Sequence, residues 1–145
     1  MYKKLGGNYL PDTSCIQLAS VIRNNRSLKT IVLSDNRLYG PHFGDFMETF
    51  SSPDCKIEEL ELAFNDLPDT ACIQLASGIQ NNRSLKILNL TNNRLFGPHF
   101  IHLTEAMCSP NCRIEKLLNT RLHAVPMLDM NKPTFCVLNS GCHVD

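Results

Sequence analysis

Two long stretches of this chain are near copies of each other, and the distance between them is constant. LPDTSCIQLAS begins at Leu10 and LPDTACIQLAS at Leu67; NNRSLK begins at Asn24 and again at Asn81; NRLYGPHF begins at Asn36 and NRLFGPHF at Asn93. Each offset is 57 residues, and well over half the positions between Leu10 and Leu60 match their partners. A period of this kind decides architecture before propensity does, because each unit buries its apolar face against the next one. Inside each unit a shorter pattern recurs. Leu28, Ile31, Leu33, Asn36 and Leu38 spell L-x-x-I-x-L-x-x-N-x-L, as do Ile57, Leu60, Leu62, Asn65 and Leu67, and Leu85, Leu88, Leu90, Asn93 and Leu95. The starts at 28, 57 and 85 give alternating lengths of 29 and 28 residues.

The residue types assign the elements. The apolar pairs flanking one residue, such as Leu60 and Leu62, point inward from a strand while Glu61 points out. The Asn at 36, 65 and 93 leaves the strand, where its amide can satisfy backbone groups that a turn would bury unpaired. In the connecting segments Cys72, Leu75, Ala76 and Ile79 follow the i, i+3, i+4, i+7 spacing of a helical stripe, as do Cys15, Leu18, Ala19 and Ile22. Asp69 or Thr70 is the expected N-cap. The alternate helix follows GPHF, with Phe43, Phe46, Met47 and Phe50 inward, and Phe100, Leu103 and Met107 in the second copy. SSPDC and CSPNC end it. Strand following helix throughout predicts an α/β solenoid, with parallel strands on the concave side and helices outside.

Two features resemble a known family: the 28/29 alternation, and the phrases C-x-x-L-A-S-x-I-x-N-N-x-S-L-K and S-P-x-C-x-I-E-x-L. Together they resemble the leucine-rich repeats of ribonuclease inhibitor and of NOD-like receptors of the NLRP type, from about Leu5 to Leu117. The resemblance implies a cytoplasmic, thiol-rich, right-handed horseshoe that is not an enzyme and binds protein partners in innate-immune or regulatory signalling. The rival readings are a GTPase-activating regulator of the Ran type and a non-functional splice or gene fragment.

The expected organisation is repeats over 1–118 (a partial first repeat, then 28–56, 57–84 and 85–113, and a broken last strand) and an irregular tail over 119–145. Lys3 stands where a Leu belongs, and no capping segment precedes it. At the other end Asn119 takes an inward Leu position and Leu122 replaces the Asn. These departures point to a truncated relative, with self-association through uncapped ends as one consequence. No phosphate-binding G-x-x-x-x-G-K-[ST] loop is present in the sequence, so the nucleotide hydrolysis of a complete receptor is not expected.

Charge and cysteines narrow the partners. Lys+Arg and Asp+Glu are equal at 14 each, so no global field favours nucleic acid or an anionic membrane. MYKKLGGNYLPDTSC lacks the apolar core of a signal peptide, and the seven cysteines then read as thiols in a reducing compartment. Cys15, Cys72, Cys55 and Cys112 fall in repeat phase as small core residues. Cys136, Cys142 and His143 lack the spacing and fourth ligand of a zinc site, so no metal and no cofactor is expected. The N-x-S patterns at Asn25 and Asn82 carry little weight without a signal.

Any binding face is to be sought among the outward strand residues. Glu58, Glu59 and Glu61 cluster on one strand, flanked in neighbouring repeats by Lys29, Lys86, Arg37 and Arg94. They form either a charged docking patch or a solvated face of weak cross-strand pairs. Phe64, where Asp35 and Asn92 hold the equivalent places, either anchors a partner or packs on the adjacent turn.

Overall fold

A computed structural model describes residues 1–119 and the backbone of Cys136–Leu138. Four strand–helix turns and a further strand lie side by side: β1 (Tyr2–Lys4), α1 (Ser14–Asn24), β2 (Thr30–Val32), α2 (Phe43–Glu48), β3 (Glu59–Glu61), α3 (Ala71–Ile79), β4 (Ile87–Asn89), α4 (Phe100–Met107) and β5 (Lys116–Leu118). A sixth strand, β6 (Cys136–Leu138), pairs with β5. Every pairing is parallel and in sequence order, so this is the leucine-rich-repeat solenoid that the period demands.

Register follows the repeat phase. Lys3, Ile31, Leu60, Leu88 and Leu117 are Cα partners along the sheet. Ile31, Leu60, Leu88 and Leu117 are at most 2% exposed while the strand residues beside them are half-buried, which is the period-two alternation of a sheet with one face on the core. Lys3 occupies the inward register in β1 and is exposed. Phe43, Phe46 and Met47 in α2, and Phe50 in the 3-10 turn Thr49–Ser51 that follows it, are fully buried. The rings of Phe46 and Phe50 meet edge-on at 5.4 Å, a favoured aromatic geometry. Phe100 is only half-buried. Asn119 is 7% exposed, inward where Leu33, Leu62 and Leu90 stand in earlier repeats.

Two expectations are revised. The segment 119–145 contributes the strand β6 to the sheet, so the ladder runs past the point where the sequence pattern breaks; residues 120–135 and 139–145, including Leu122, lie outside the described residues. The helix caps also differ. Thr13 and Thr70 stand at the N-cap positions of α1 and α3 without a side-chain cap. The neighbouring aspartates reach across instead. Asp12 accepts the His42 backbone N–H at 3.0 and 3.2 Å, and Asp69 accepts that of His99 at 3.0 Å, so each caps the helix of the following repeat. A Cβ at Gly40 or Gly97 would lie 2.5 Å from the Asp12 or Asp69 Cγ. The glycine of each GPH phrase is therefore what lets the carboxylate approach.

Candidate protein-docking face

The Asn residues set the edge of this face. Asn36 Nδ2 donates to the carbonyls of Leu5 (3.0 Å) and Leu33 (2.9 Å), and its Oδ1 accepts the Leu10 N–H at 2.8 Å. Asn93 Nδ2 donates to Leu62 (2.8 Å) and Leu90 (3.1 Å), and its Oδ1 accepts from Asn65 and Leu67, both at 3.0 Å. Asn65 donates to Leu33 (2.9 Å) and Leu62 (3.1 Å), but its buried Oδ1 has no partner. These amides join consecutive turns and give the outward side chains a common baseline.

Beside each Asn the backbone turns left-handed. Gly7 has φ +69°, Asp35 +59°, Phe64 +55° and Asn92 +54°. Gly, Asp and Asn tolerate that region, whereas a bulky aromatic there is an outlier. The conformation is fixed because the N–H groups bond across the junction: Gly7 to Ser34 O (2.9 Å), Asp35 to Ala63 O (2.9 Å) and Phe64 to Thr91 O (3.0 Å). Phe64 is 55% exposed, so most of its ring does not pack on the adjacent turn.

The charges resolve into two ladders rather than one patch. At the strand entrances Glu58 takes Lys29 at 2.7 Å and Lys86 at 2.9 Å. Hydrogen bonds from Lys29 first, then Lys86, lower the Glu58 carboxyl from 4.5 to about 2. Glu58, in turn, is the main cause of the raised Lys86 pKa, with Glu115 a smaller one. Past the strands, Arg94 grips Asp66 through Nε at 3.0 Å and a terminal nitrogen at 2.7 Å, while the Arg37 guanidinium lies 5.8 Å from the Tyr9 ring centre. Neither arginine meets the strand acids. Glu59, half-buried, accepts the Thr30 hydroxyl at 3.2 Å. Among the described residues Glu61 has no ion-pair partner. The structure thus brings Glu59, Glu61 and Phe64 onto one repeat with both nearby lysines already taken. Asp66 and Tyr9 were the partners missed, although each sits in repeat phase with the residue it pairs with, whereas Glu58 pairs with the two lysines the sequence places beside it.

The thiols are structural. Cys15 and Cys72 are fully buried and donate to the Leu38 and Leu95 carbonyls at 3.4 and 3.5 Å. Burial, with a smaller push from Asp12 on Cys15 and from Asp69 on Cys72, raises both to about 12, so neither carries thiolate near neutrality. Cys55 is also buried. Cys142 and His143 lie outside the described residues, as does the side chain of Cys136. In both N-x-S motifs the Asn Oδ1 accepts two following N–H groups, Ser27 and Leu28 at Asn25 and Ser84 and Leu85 at Asn82; Asn25 is half-buried, whereas Asn82 is 2% exposed and also donates to the Phe50 carbonyl. Among the described residues no helix is long and apolar enough to cross a membrane.

A profile of the family described as Leucine Rich Repeat matches residues 84–105. Ribonuclease inhibitor of Mus musculus is 33% identical over 109 residues, which is 75% of this chain and 24% of that protein. NACHT, LRR and PYD domains-containing protein 14 of Homo sapiens is 32% identical over 114 residues, covering 79% of this chain and 10% of its own length. NACHT, LRR and PYD domains-containing protein 12 of Mus musculus is 35% identical over 109 residues, 75% of this chain and 10% of its own. The chain thus spans about a quarter of the first relative and about a tenth of the other two.

Proposed function

The repeats of this chain belong to the leucine-rich family of ribonuclease inhibitor and the NACHT, LRR and PYD proteins, and on that premise we propose that it is a non-catalytic protein-binding module whose docking face is the sheet side around Glu59, Glu61 and Phe64. The observation that carries this reading is Phe64. A bulky aromatic held at φ +55° and 55% exposed occupies a place where other repeats use Gly, Asp or Asn. Backbone strain of ~1–3 kcal/mol persists where the side chain is needed, and an exposed rigid aromatic is a common interface anchor. Two acids beside it, with the local lysines engaged elsewhere, favour a cationic partner surface. The setting we propose is cytoplasmic innate-immune or regulatory signalling.

Size bounds the affinity. The five strands with described side chains, at ~4.8 Å spacing, span about 24 Å, and ~10 Å of outward side chains gives a face of roughly 240 Å². That is below the ~800 Å² per partner of a standard interface. Binding by the strand face alone is therefore weak, and the loop residues at Phe64 must add to it. The test compares the native chain with the Glu61→Lys/Phe64→Ala double variant against purified candidate partners, a ribonuclease first. Loss of binding in the double variant is the expected result; a partner held equally well by both forms would remove the assignment of this face.

A further inference from the structure

The outward side chains of the central repeat differ in what already touches them. Of its three glutamates, Glu58 is held by Lys29 and Lys86, and Glu59 accepts the Thr30 hydroxyl at 3.2 Å. Glu61 has no ion-pair partner among the described residues. Its register neighbours are Val32 and Asn89, and the Asn89 Oδ1 is taken by the Thr91 N–H at 3.0 Å. Leu62 and Ala63 are buried, so the next solvent-facing side chain after Glu61 is Phe64. Three residues at ~3.3 Å each put the two Cα atoms at most about 10 Å apart, a gap that a Glu and a Phe side chain reach into from either end. The cations around this gap are engaged elsewhere: Arg94 on Asp66, Arg37 on the Tyr9 ring, and both lysines on Glu58. A carboxylate and an aromatic face thus stand side by side without a cation.

We propose that Glu61 and Phe64 together recognise a single arginine side chain of a protein partner, its guanidinium stacked on the Phe64 ring and forked onto the Glu61 carboxylate. This rests on the sheet-side docking face proposed above and adds the chemistry of its anchor. The same rim already holds a guanidinium against an aromatic ring, that of Arg37, 5.8 Å from the Tyr9 ring centre. A guanidinium suits the pair better than an ammonium. It is planar, more weakly hydrated, and presents paired N–H donors that match a carboxylate, whereas a lysine keeps more of its hydration beside an exposed ring. Asp35, at the phase of Phe64 one repeat earlier, leans toward Gly7, where a Cβ would lie 3.8 Å from its Oδ2. It adds negative potential without covering the ring. Charge at the ends of the face limits the partner to one cation. Lys4 is two strands from Glu61 by way of Val32, and Lys116 two strands from Glu59 by way of Ile87, each about 10 Å away. A polybasic tract laid across the sheet would meet both lysines. The arginine therefore stands among uncharged residues, with half-buried Val32 and Ile87 as the apolar floor on either side.

The test is an NMR titration of the full chain with the capped pentapeptide Val-Thr-Arg-Thr-Val and its lysine and citrulline versions. The arginine peptide should shift the Glu61 and Phe64 resonances first, with a dissociation constant in the millimolar range. The lysine peptide should bind at least about threefold more weakly, and the uncharged citrulline peptide not measurably. Phe64→Leu, which keeps an apolar side chain but removes the ring, and Glu61→Gln should each weaken the arginine peptide about threefold, while Phe64→Trp should hold it at least as tightly. Circular dichroism confirms that each variant is folded. Equal binding of the arginine and lysine peptides, a Phe64→Leu variant that binds like the native chain, or no shift at Glu61 and Phe64 would overturn the arginine site. Those results leave the docking face standing wherever a protein partner is still lost by Glu61→Lys/Phe64→Ala. A partner retained by that double variant removes the face and the arginine site with it.

Discussion

The β1–β2 and β3–β4 junctions, which are 57 residues apart, and the β2–β3 junction between them are held by different chemistry. At β1–β2 and β3–β4 the loops after the strands are tied: Arg37 N–H bonds Leu10 O at 2.9 Å and Arg94 N–H bonds Leu67 O at 2.8 Å. The Asn36 and Asn93 carboxamides are bonded at both ends there, and Asp12 and Asp69 reach the next helix. At β2–β3 Asn65 leaves its Oδ1 unpaired, and the close contact lies in the helical layer. Gly78 in α3 lies so close to α2 that a Cβ would be 2.5 Å from the Met47 carbonyl oxygen, and Asn82 donates to Phe50 O. Helices pack at every junction, but the loop clamp recurs only at β1–β2 and β3–β4, while Gly78 brings α3 close to α2 at β2–β3.

The largest effect should come from putting the residue of one copy into the other. Gly78→Val copies Val21, which is only half-buried on α1. At Gly78 the branched side chain would drive α3 off Met47, costing about 3 kcal/mol, read as a large fall in melting temperature. An unchanged melt would mean that the middle junction does not depend on close helix approach. Next in size, Asn93→Ala removes two donors and leaves Asn65 N–H and Leu67 N–H buried without an acceptor, for about 2–3 kcal/mol. Asn65→Ala removes the donors but strands no such N–H, and should cost about 1–2 kcal/mol. Equal losses in denaturant titrations of the two variants would erase the difference between junctions.

Smaller effects sharpen the clamp. Asp69→Ala should cost about 1 kcal/mol as a lost cap, and Gly97→Ala should be tolerated better in that background than alone. Chemical denaturation of the double-mutant cycle reads this coupling, and simple additivity would show that the glycine is not there for the carboxylate. The smallest effect concerns Glu58, which bridges both kinds of junction through Lys29 and Lys86. Its folded-state pKa is depressed, so its contribution is present above the unfolded value of 4.5 and is lost as pH falls toward about 2. The melting difference between the native chain and Glu58→Gln should shrink across that window and with added salt; a difference that grows on acidification would contradict the bridge.

Much of this was legible without coordinates. Ile31, Leu60 and Leu88 were assigned inward and are buried; the helical stripes at Cys15 and Cys72 pack into the core; the Asn at 36, 65 and 93 bond backbone carbonyls as their position required. The site was less legible. Lys29, Lys86, Arg37 and Arg94 were grouped with the strand acids because all point outward in neighbouring repeats; the two lysines do pair with Glu58, but Arg37 and Arg94 meet Tyr9 and Asp66 instead. β6 lies beyond the broken pattern, where no period pointed to it.

The division has one physical reason. A repeat period determines which face of an element each residue occupies, because burial of an apolar stripe depends only on phase, and phase is written in the sequence. The contacts that make the solenoid specific join residues about 28 or 29 positions apart on different turns, and their existence depends on ångström-scale approach. Asp69 caps the helix of the next repeat rather than its own because Gly97 lets the carboxylate in. Phe64 stays exposed because its N–H is pinned left-handed to Thr91. Spacing alone contains none of those distances, so only the tertiary structure could decide them.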